Sequence, residues 1–146
     1  MKSMVLLIDT NVVIDYICER RPQYETASCV IASCQKKNIS GYIAFHSLPT
    51  IWYILRKLPA ARRRRLLLET TRLLAVTGAS HDAVVHAIQN EAFSDFEDCL
   101  QEQCALQVDA DYIVTENTRH FANSAIPAVT SAEMLQILYD RKNILQ

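Results

Sequence analysis

Glycine, proline and tryptophan are scarce in this chain. Its 146 residues include two glycines, four prolines and one tryptophan, while half of the residues are hydrophobic. So few glycines and prolines exclude a low-complexity or disordered chain, and we expect a compact, largely helical structure. Since this length is typical of one domain, we predict that residues 1–146 form a single domain.

Long apolar runs are also missing. The apolar stretch that follows Met1, Lys2 and Ser3 ends at Asp9, so it is too short for a signal peptide or a membrane span. No other segment of the sequence approaches the length of a spanning helix. We therefore expect no contact with a membrane and a location in the cytoplasm.

The five cysteines lack the spacing of a metal site. Their number is odd, no Cys-x-x-Cys pair occurs, and both close pairs are five residues apart, which is unfavourable on one helical face. We interpret them as buried free thiols that pack as small hydrophobic side chains, not as zinc ligands or disulfides. They are Cys18, Cys29, Cys34, Cys99 and Cys104.

Short apolar runs alternate with helical patterns along the whole chain. Strands are predicted at residues 5–8, 41–44, 75–77, 112–114 and 128–129, and helices at 10–18, 25–37, 48–58, 60–74, 83–91, from Ser94 to about 107, and after Thr130. Ser47 is the expected N-cap of the third helix, and Ser94 with Glu97, and Thr130 with Glu133, match capping boxes. The alternation predicts an α/β fold with a mostly parallel sheet and helices on both faces.

Polar residues follow two of the predicted strands. Asp9 comes directly after the first strand and Asn117 after the strand at 112–114, while Asp95, Glu97 and Asp98 crowd the start of one helix. Ligands of open α/β sheets bind beyond the carboxyl ends of the strands. Oxygen ligands from separate segments are typical of Mg²⁺ or Mn²⁺ sites. Each residue also has a structural interpretation, because Asp9 is a suitable helix cap, Glu97 fits a capping box and Asn117 suits a turn.

Such a site suits the cleavage of phosphodiesters. A divalent ion lowers the pKa of the water that it binds and stabilises the charge on a phosphate under attack. Little else is needed beyond an acidic cluster and a basic surface that holds the polyanion. A phosphatase of the haloacid dehalogenase type is a weaker alternative, because that class needs an Asp two positions after Asp9, where this chain has Asn11.

Four segments resemble the PIN-domain family of VapC-like toxin ribonucleases. Residues 7–15 look like the family's opening motif, and residues 51–57 are similar to the helix that follows its second acidic position. Residues 95–101 resemble the segment of its third acid, and residues 110–121 its last motif. The four segments occur in the expected order and extend over nearly the whole chain.

The resemblance implies an α/β/α sandwich whose acids bind Mg²⁺ or Mn²⁺ and which cleaves single-stranded RNA. By position, Asp9 matches the first metal-binding acid, Asp98 the third, and Asn117 the asparagine of the last motif. Asp95 is a candidate for a further ligand or a water-positioning group. Asp15 also fits the opening motif, either within the site or as a partner for the surrounding helix surface.

The resemblance also implies partners. The chain would be the toxin of a toxin–antitoxin pair, with RNA as its substrate, an antitoxin protein as its inhibitor and a homodimer as its oligomeric state. Arg62, Arg63, Arg64 and Arg65 are the candidate substrate-binding residues. Because four consecutive residues surround a helix, the alternatives are a solvated helix end and a docking patch for an acidic protein.

Two positions depart from the family pattern. Thr50, behind Pro49, stands where relatives carry Glu or Asn, and His120 stands where the last motif has Asp. His120 either binds a softer ion such as Mn²⁺ or lies behind the ligands or on the surface. These departures support an alternative function, a catalytically weakened PIN domain that binds RNA or a protein without cleaving.

Overall fold

Five short strands form the central sheet of the computed structural model, which describes residues 3–144. The strands are β1 (Met4–Ile8), β2 (Ile39–Ala44), β3 (Ala75–Thr77), β4 (Tyr112–Val114) and β5 (Ala128–Val129). Their order across the sheet is β3-β2-β1-β4-β5, and every neighbouring pair is parallel. The sheet is thus wholly parallel where the sequence pattern predicted a mostly parallel one.

Seven α-helices connect and cover these strands in the described residues. They are α1 (Thr10–Ile17), α2 (Tyr24–Ser33), α3 (Ser47–Ile54), α4 (Ala60–Leu73), α5 (His81–Gln89), α6 (Phe96–Gln107) and α7 (Ser131–Ile144), and a 3-10 helix spans Thr118–Phe121. The predicted elements are confirmed within a few residues, and the largest differences are at the ends of α2 and α3. The α2 helix stops at Ser33, short of the predicted 37, and α3 stops at Ile54, with Leu55 as its C-cap, short of the predicted 58. Leu58 precedes Pro59, and a residue before proline disfavours the helical backbone predicted there.

Side chains of the central strand β1 alternate between two hydrophobic cores, one on each face of the sheet. Leu6 and Ile8 pack into the core that includes residues of α1, α2, α3 and α7, whereas Leu7 packs into the core formed with α5 and α6. All three side chains are fully buried. Helices therefore cover both faces, which confirms the three-layer α/β/α sandwich.

Gly41 in β2 allows helix and strand to approach closely. A Cβ atom there would lie 2.5 Å from Cys34 Sγ and 2.7 Å from a methyl carbon of Leu74.

Burial raises the pKa of the Cys34 thiol to about 12. All five cysteines are free, and Cys34, Cys99 and Cys104 are buried as expected, but Cys29 is exposed.

Two of the predicted helix caps are wrong and one is confirmed. Ser47 is the first residue of α3 instead of its N-cap, and Asp95 replaces Ser94 as the N-cap of α6. The Asp95 carboxylate accepts hydrogen bonds from two backbone N–H groups of the first helical turn. Its negative charge is also stabilised there by the helix dipole. Thr130 and Glu133 form the predicted reciprocal capping box.

None of the helices between residues 3 and 144 has the length and apolar character needed to cross a membrane.

Candidate active site

Three residues predicted to form the site line one cavity at the carboxyl ends of β1 and β4. The cavity holds about 260 Å³, and Asp9, Asp98 and Asn117 all contribute to its wall. These strands are neighbours in the sheet, and the N–H of Asp9 donates to the carbonyl of Val114 over 2.9 Å. Further polar side chains on the wall are those of Thr10, Asn11, Arg21, Thr50 and Glu97.

Asp9 is held in place by two hydrogen bonds and is 6% exposed. One carboxylate oxygen accepts from the backbone N–H of Thr10 (2.8 Å), which makes Asp9 the N-cap of α1, and the other accepts from the Thr115 hydroxyl (2.7 Å). The helix-cap interpretation is therefore confirmed, and the same carboxylate lines the cavity. Since a carboxylate oxygen accepts more than one bond, both oxygens retain capacity for a ligand.

Burial and neighbouring charge disfavour ionisation of the acids in this cavity. The pKa of Asp9 is raised from 3.8 to about 6, mainly by burial and further by the charges of Asp98 and Glu97, while hydrogen bonds from Thr115 and Thr10 oppose the shift. Burial, followed by the charge of Asp95, also raises the pKa of Asp98 and of Glu97. A cation bound among these groups would stabilise their ionised forms.

Glu97 lines the cavity, and sequence reasoning missed it as a site residue. The pattern assigned Glu97 to a capping box, but the cap is Asp95, which accepts from the N–H groups of Glu97 (2.7 Å) and Asp98 (3.3 Å). Capping fixes the first turn of α6 and leaves the Glu97 side chain free to reach the cavity. Asp95 itself is exposed and does not line the wall.

The two residues that depart from the family pattern both lie at the site. Thr50 is on the cavity wall, and its hydroxyl donates to the carbonyl of His46 over 3.1 Å. His120 lies in the 3-10 helix, half exposed, with Nδ1 3.1 Å from Asp98 Oδ2. Charge and hydrogen bonding from His120 lower the pKa of Asp98, against the larger effect of burial.

A buried polar cluster supports the floor of the site. The side-chain amide of Gln101 donates to Thr10 Oγ1 (3.1 Å) and Ser47 Oγ (2.9 Å), and the two hydroxyls are 2.7 Å apart. These bonds join α6 to the first turns of α1 and α3. Nothing in the polar pattern of the sequence distinguished Gln101 from an exposed helix residue.

The arginine run lies on α4, apart from the acidic cavity. The Arg63 guanidinium lies over the Trp52 ring at 4.0 Å and donates to the Trp52 carbonyl over 3.3 Å. Arg62, Arg64 and Arg65 are exposed, and none of the four lines the cavity. Arg63 is thus a packing residue, and Arg64 also lies over the Trp52 ring, at 5.4 Å, while Arg62 and Arg65 face solvent.

The donor chemistry of the cavity fits a hard divalent cation. No group of three His, Cys, Asp or Glu side chains within residues 3–144 already has the spacing of a complete metal site. Mg²⁺ does not require one, because it retains several water ligands and commonly binds through one or two carboxylates. Asp9 and Asp98 supply that number, and the amide oxygen of Asn117 is a further hard donor on the same wall.

Comparisons with known proteins agree with this architecture. Similar solved structures include VapBC-1 from nontypeable Haemophilus influenzae (17% identity, TM-score 0.66, covering 88% of this chain and 99% of that chain). VapBC2 from Rickettsia felis, bound to a promoter DNA fragment, gives 17% identity and a TM-score of 0.65 over 87% and 98% of the two chains. VapC20 from Mycobacterium tuberculosis, described as a sarcin–ricin loop cleaving toxin, gives 14% identity and a TM-score of 0.64. The match covers 81% of this chain and 94% of that chain.

Identities this low show a shared fold. No curated protein matches the chain by sequence. The family model of the PIN domain, however, matches residues 5–119, which is most of the chain. The chain therefore belongs to the PIN-domain family.

Proposed function

We propose that this chain is a metal-dependent endoribonuclease that acts on single-stranded RNA, and the toxin of a toxin–antitoxin pair. The observation that carries the proposal is the convergence of Asp9, Asp98 and Asn117 on one cavity at the carboxyl ends of β1 and β4. Membership of the PIN-domain family supports it. Burial and the neighbouring acids raise the pKa of Asp9 to about 6, and a bound cation would favour its ionised form.

Each residue has a role in this proposal. Asp9 and Asp98 would hold Mg²⁺ or Mn²⁺, and Asn117 would supply a further amide oxygen. When bound, such an ion acidifies a coordinated water molecule and offsets the negative charge on the phosphate. Thr115 orients the Asp9 carboxylate through its hydroxyl, and Asp95 orients Asp98 by fixing the first turn of α6.

RNA cleavage with and without divalent ions tests the function directly. We expect a labelled single-stranded RNA to be cut with Mg²⁺ or Mn²⁺ and to remain intact with a chelator. Asp9→Asn keeps an oxygen for Thr10 and a polar group for Thr115 but removes the charge, so cleavage should fall by about 10²-fold or more. The matched control is Asp82→Asn, at an exposed acid on α5. Cleavage that persists in chelator, or that Asp9→Asn leaves unchanged, would contradict the proposal.

A second candidate function is binding without cleavage. The observation that favours it is the identity of two residues at the acidic cavity. Thr50, which carries no charge, lies on the wall, and His120, a residue type that is charged only when protonated, contacts Asp98. RNA binding without cleavage under every metal condition would select this function.

Partners and assembly belong to the same proposal. We infer an antitoxin protein as inhibitor, a homodimer in solution, a cytoplasmic location and one domain over residues 1–146. The similarity to VapBC proteins and to a toxin that cleaves the sarcin–ricin loop supports an antitoxin and an RNA substrate. Growth arrest on expression, relieved by the product of a neighbouring gene, tests the antitoxin, and light scattering tests the dimer.

The exposed arginines of α4 are the proposed RNA-binding surface. Replacing Arg62, Arg64 and Arg65 by Gln spares Arg63, which packs on Trp52. We expect weaker binding to unrelated RNAs and a salt dependence flattened by about one unit of slope per lost phosphate contact. A variant with Lys36, Lys37 and Lys142 changed to Gln removes the same charge elsewhere on the surface. Equal slopes for the two triple variants would assign the run to a solvated helix end or a protein partner.

A further inference from the structure

Arg21 is a cation on the wall of an otherwise acidic cavity. It lies between α1 and α2, in a turn where its N–H donates to the carbonyl of Cys18 (3.0 Å) and its carbonyl accepts from Tyr24 (3.1 Å). Among the lining residues that the structure describes, Arg21 alone is a Lys, Arg or His. The turn therefore places one positive side chain on the wall that Asp9 and Asp98 also line.

A buried carboxylate in α1 orients this guanidinium. Arg21 Nε lies 2.7 Å from Asp15 Oδ1, and Asp15 is 3% exposed. A carboxylate so deeply buried requires a paired charge, and breaking such a pair is strongly destabilising. The ion pair with Asp15 therefore holds the Arg21 side chain in place at the cavity wall.

The geometry of this ion pair leaves most of the guanidinium available. A guanidinium has five N–H donors, and the bond to Asp15 occupies only the one on Nε. Across residues 3–144 the Arg21 side chain makes no other hydrogen bond or ion pair. The four terminal N–H groups thus remain for a ligand.

The acids of the cavity do not engage this charge. The ion pairs within residues 3–144 are those of Arg21 with Asp15 and of His120 with Asp98, so none joins Arg21 to Asp9, Glu97 or Asp98. The terminal N–H groups of Arg21 are therefore free to bind an external anion.

We propose that Arg21 binds a phosphate of the RNA next to the acidic cluster, and that Asp15 is the positioning residue that aims it. The proposal rests on the ribonuclease function and deepens it by assigning the phosphate contact within the site. The paired terminal nitrogens of a guanidinium match two phosphate oxygens, and such charge-assisted bonds are short and strong. The acids and Arg21 then contact opposite parts of one substrate, the acids through a cation and Arg21 directly.

Variants at Arg21 and Arg20 form a matched pair for the test. Both are exposed arginines, adjacent in the chain, but Arg20 does not line the cavity. We expect Arg21→Gln to weaken binding of a fluorescent single-stranded RNA, in chelator, by about tenfold to a hundredfold and to lower the salt slope by about one unit. Arg20→Gln should leave binding and slope close to those of the parent.

Two more variants separate phosphate binding from folding. Arg21→Gln leaves Asp15 unpaired, so the double variant with Asp15→Asn removes both charges and should melt at a higher temperature than Arg21→Gln alone. RNA binding should stay weak in the double variant although stability recovers. Asp15→Leu by itself keeps the cation but removes the oxygen that orients it, so the salt slope should persist while single-turnover cleavage falls.

The outcomes distinguish this inference from the proposed function. A parent that cuts RNA, with Arg21→Gln equal to Arg20→Gln in binding and cleavage, overturns the role of Arg21 and leaves the ribonuclease intact. A parent that binds RNA without cutting overturns the ribonuclease, and the two binding curves in chelator still decide the role of Arg21. Binding that recovers along with stability in the double variant overturns the phosphate contact as well.

Discussion

Above pH 7 and without metal, the Asp9→Asn variant should be more stable than the parent by up to about 3 kcal/mol. This figure follows from the rise in the pKa of Asp9 from 3.8 to about 6, at about 1.4 kcal/mol per pKa unit. The side chain is buried, so solvent screens the effect little. Because Asn carries no charge, the variant avoids the free-energy cost of burying an ionised carboxylate.

The sign of the pH dependence follows from proton binding. Between pH 3.8 and about 6 the folded parent binds more protons than the unfolded chain, because the folded pKa is the higher one. The free energy of unfolding of the parent therefore falls as the pH rises through this window, and the loss is complete above it. The raised pKa values of Glu97 and Asp98 act in the same direction.

Urea unfolding across this pH range, in chelator, measures the effect. We expect the difference between Asp9→Asn and the parent to widen with rising pH, while Asp82→Asn follows the parent. Added Mg²⁺ should reverse the order, because an ion that binds only the folded parent stabilises it and the variant has lost a ligand. A variant less stable than the parent at every pH would mean that the Thr10 and Thr115 bonds outweigh the buried charge.

The double variant Thr50→Glu, His120→Asp should bind Mg²⁺ about tenfold to a hundredfold more tightly than the parent. Thr50 lies on the cavity wall and His120 contacts Asp98, so both new carboxylates would arise at the acidic cluster. We also expect faster single-turnover cleavage of RNA. The metal-free variant should unfold more readily, because the added charges repel those already present.

A neutral double variant separates charge from shape. Thr50→Gln with His120→Asn has side chains of the same size without charge, and it should gain neither Mg²⁺ affinity nor activity. Calorimetric titration with Mg²⁺ and single-turnover cleavage are the two measurements. A parent that already cleaves fast with Mg²⁺ would show that the departures are harmless and that Thr50 and His120 do not stand at the family's acidic positions. Tighter binding without cleavage would favour the binding module.

Sequence patterns predicted the convergence of Asp9, Asp98 and Asn117, because residues directly after parallel strands or at a helix start reach the same edge of a sheet. The cavity wall contains all three. Local rules failed where two local choices competed. The pattern placed the cap of α6 at Ser94, but the charged side chain of the next residue, Asp95, accepts from the two backbone N–H groups.

Contacts between distant segments were beyond any local pattern. Arg21 and Asp15 are six residues apart without belonging to one helix, and their bond depends on how the turn after α1 folds back. Gln101 reaches Thr10 and Ser47 only because α6 packs over the start of α1 and α3. Glu97 was assigned to a cap that Asp95 fills, so its place on the cavity wall became visible only in three dimensions.

The bond between Thr115 and Asp9 joins residues 106 positions apart. During synthesis, Asp9 leaves the ribosome 106 residues ahead of the hydroxyl that orients it. Until β4 pairs with β1, Asp9 lacks the Thr115 hydroxyl, and Asn117 is not beside it. A nascent chain therefore cannot assemble this arrangement of side chains before Thr115 and Asn117 have also left the ribosome.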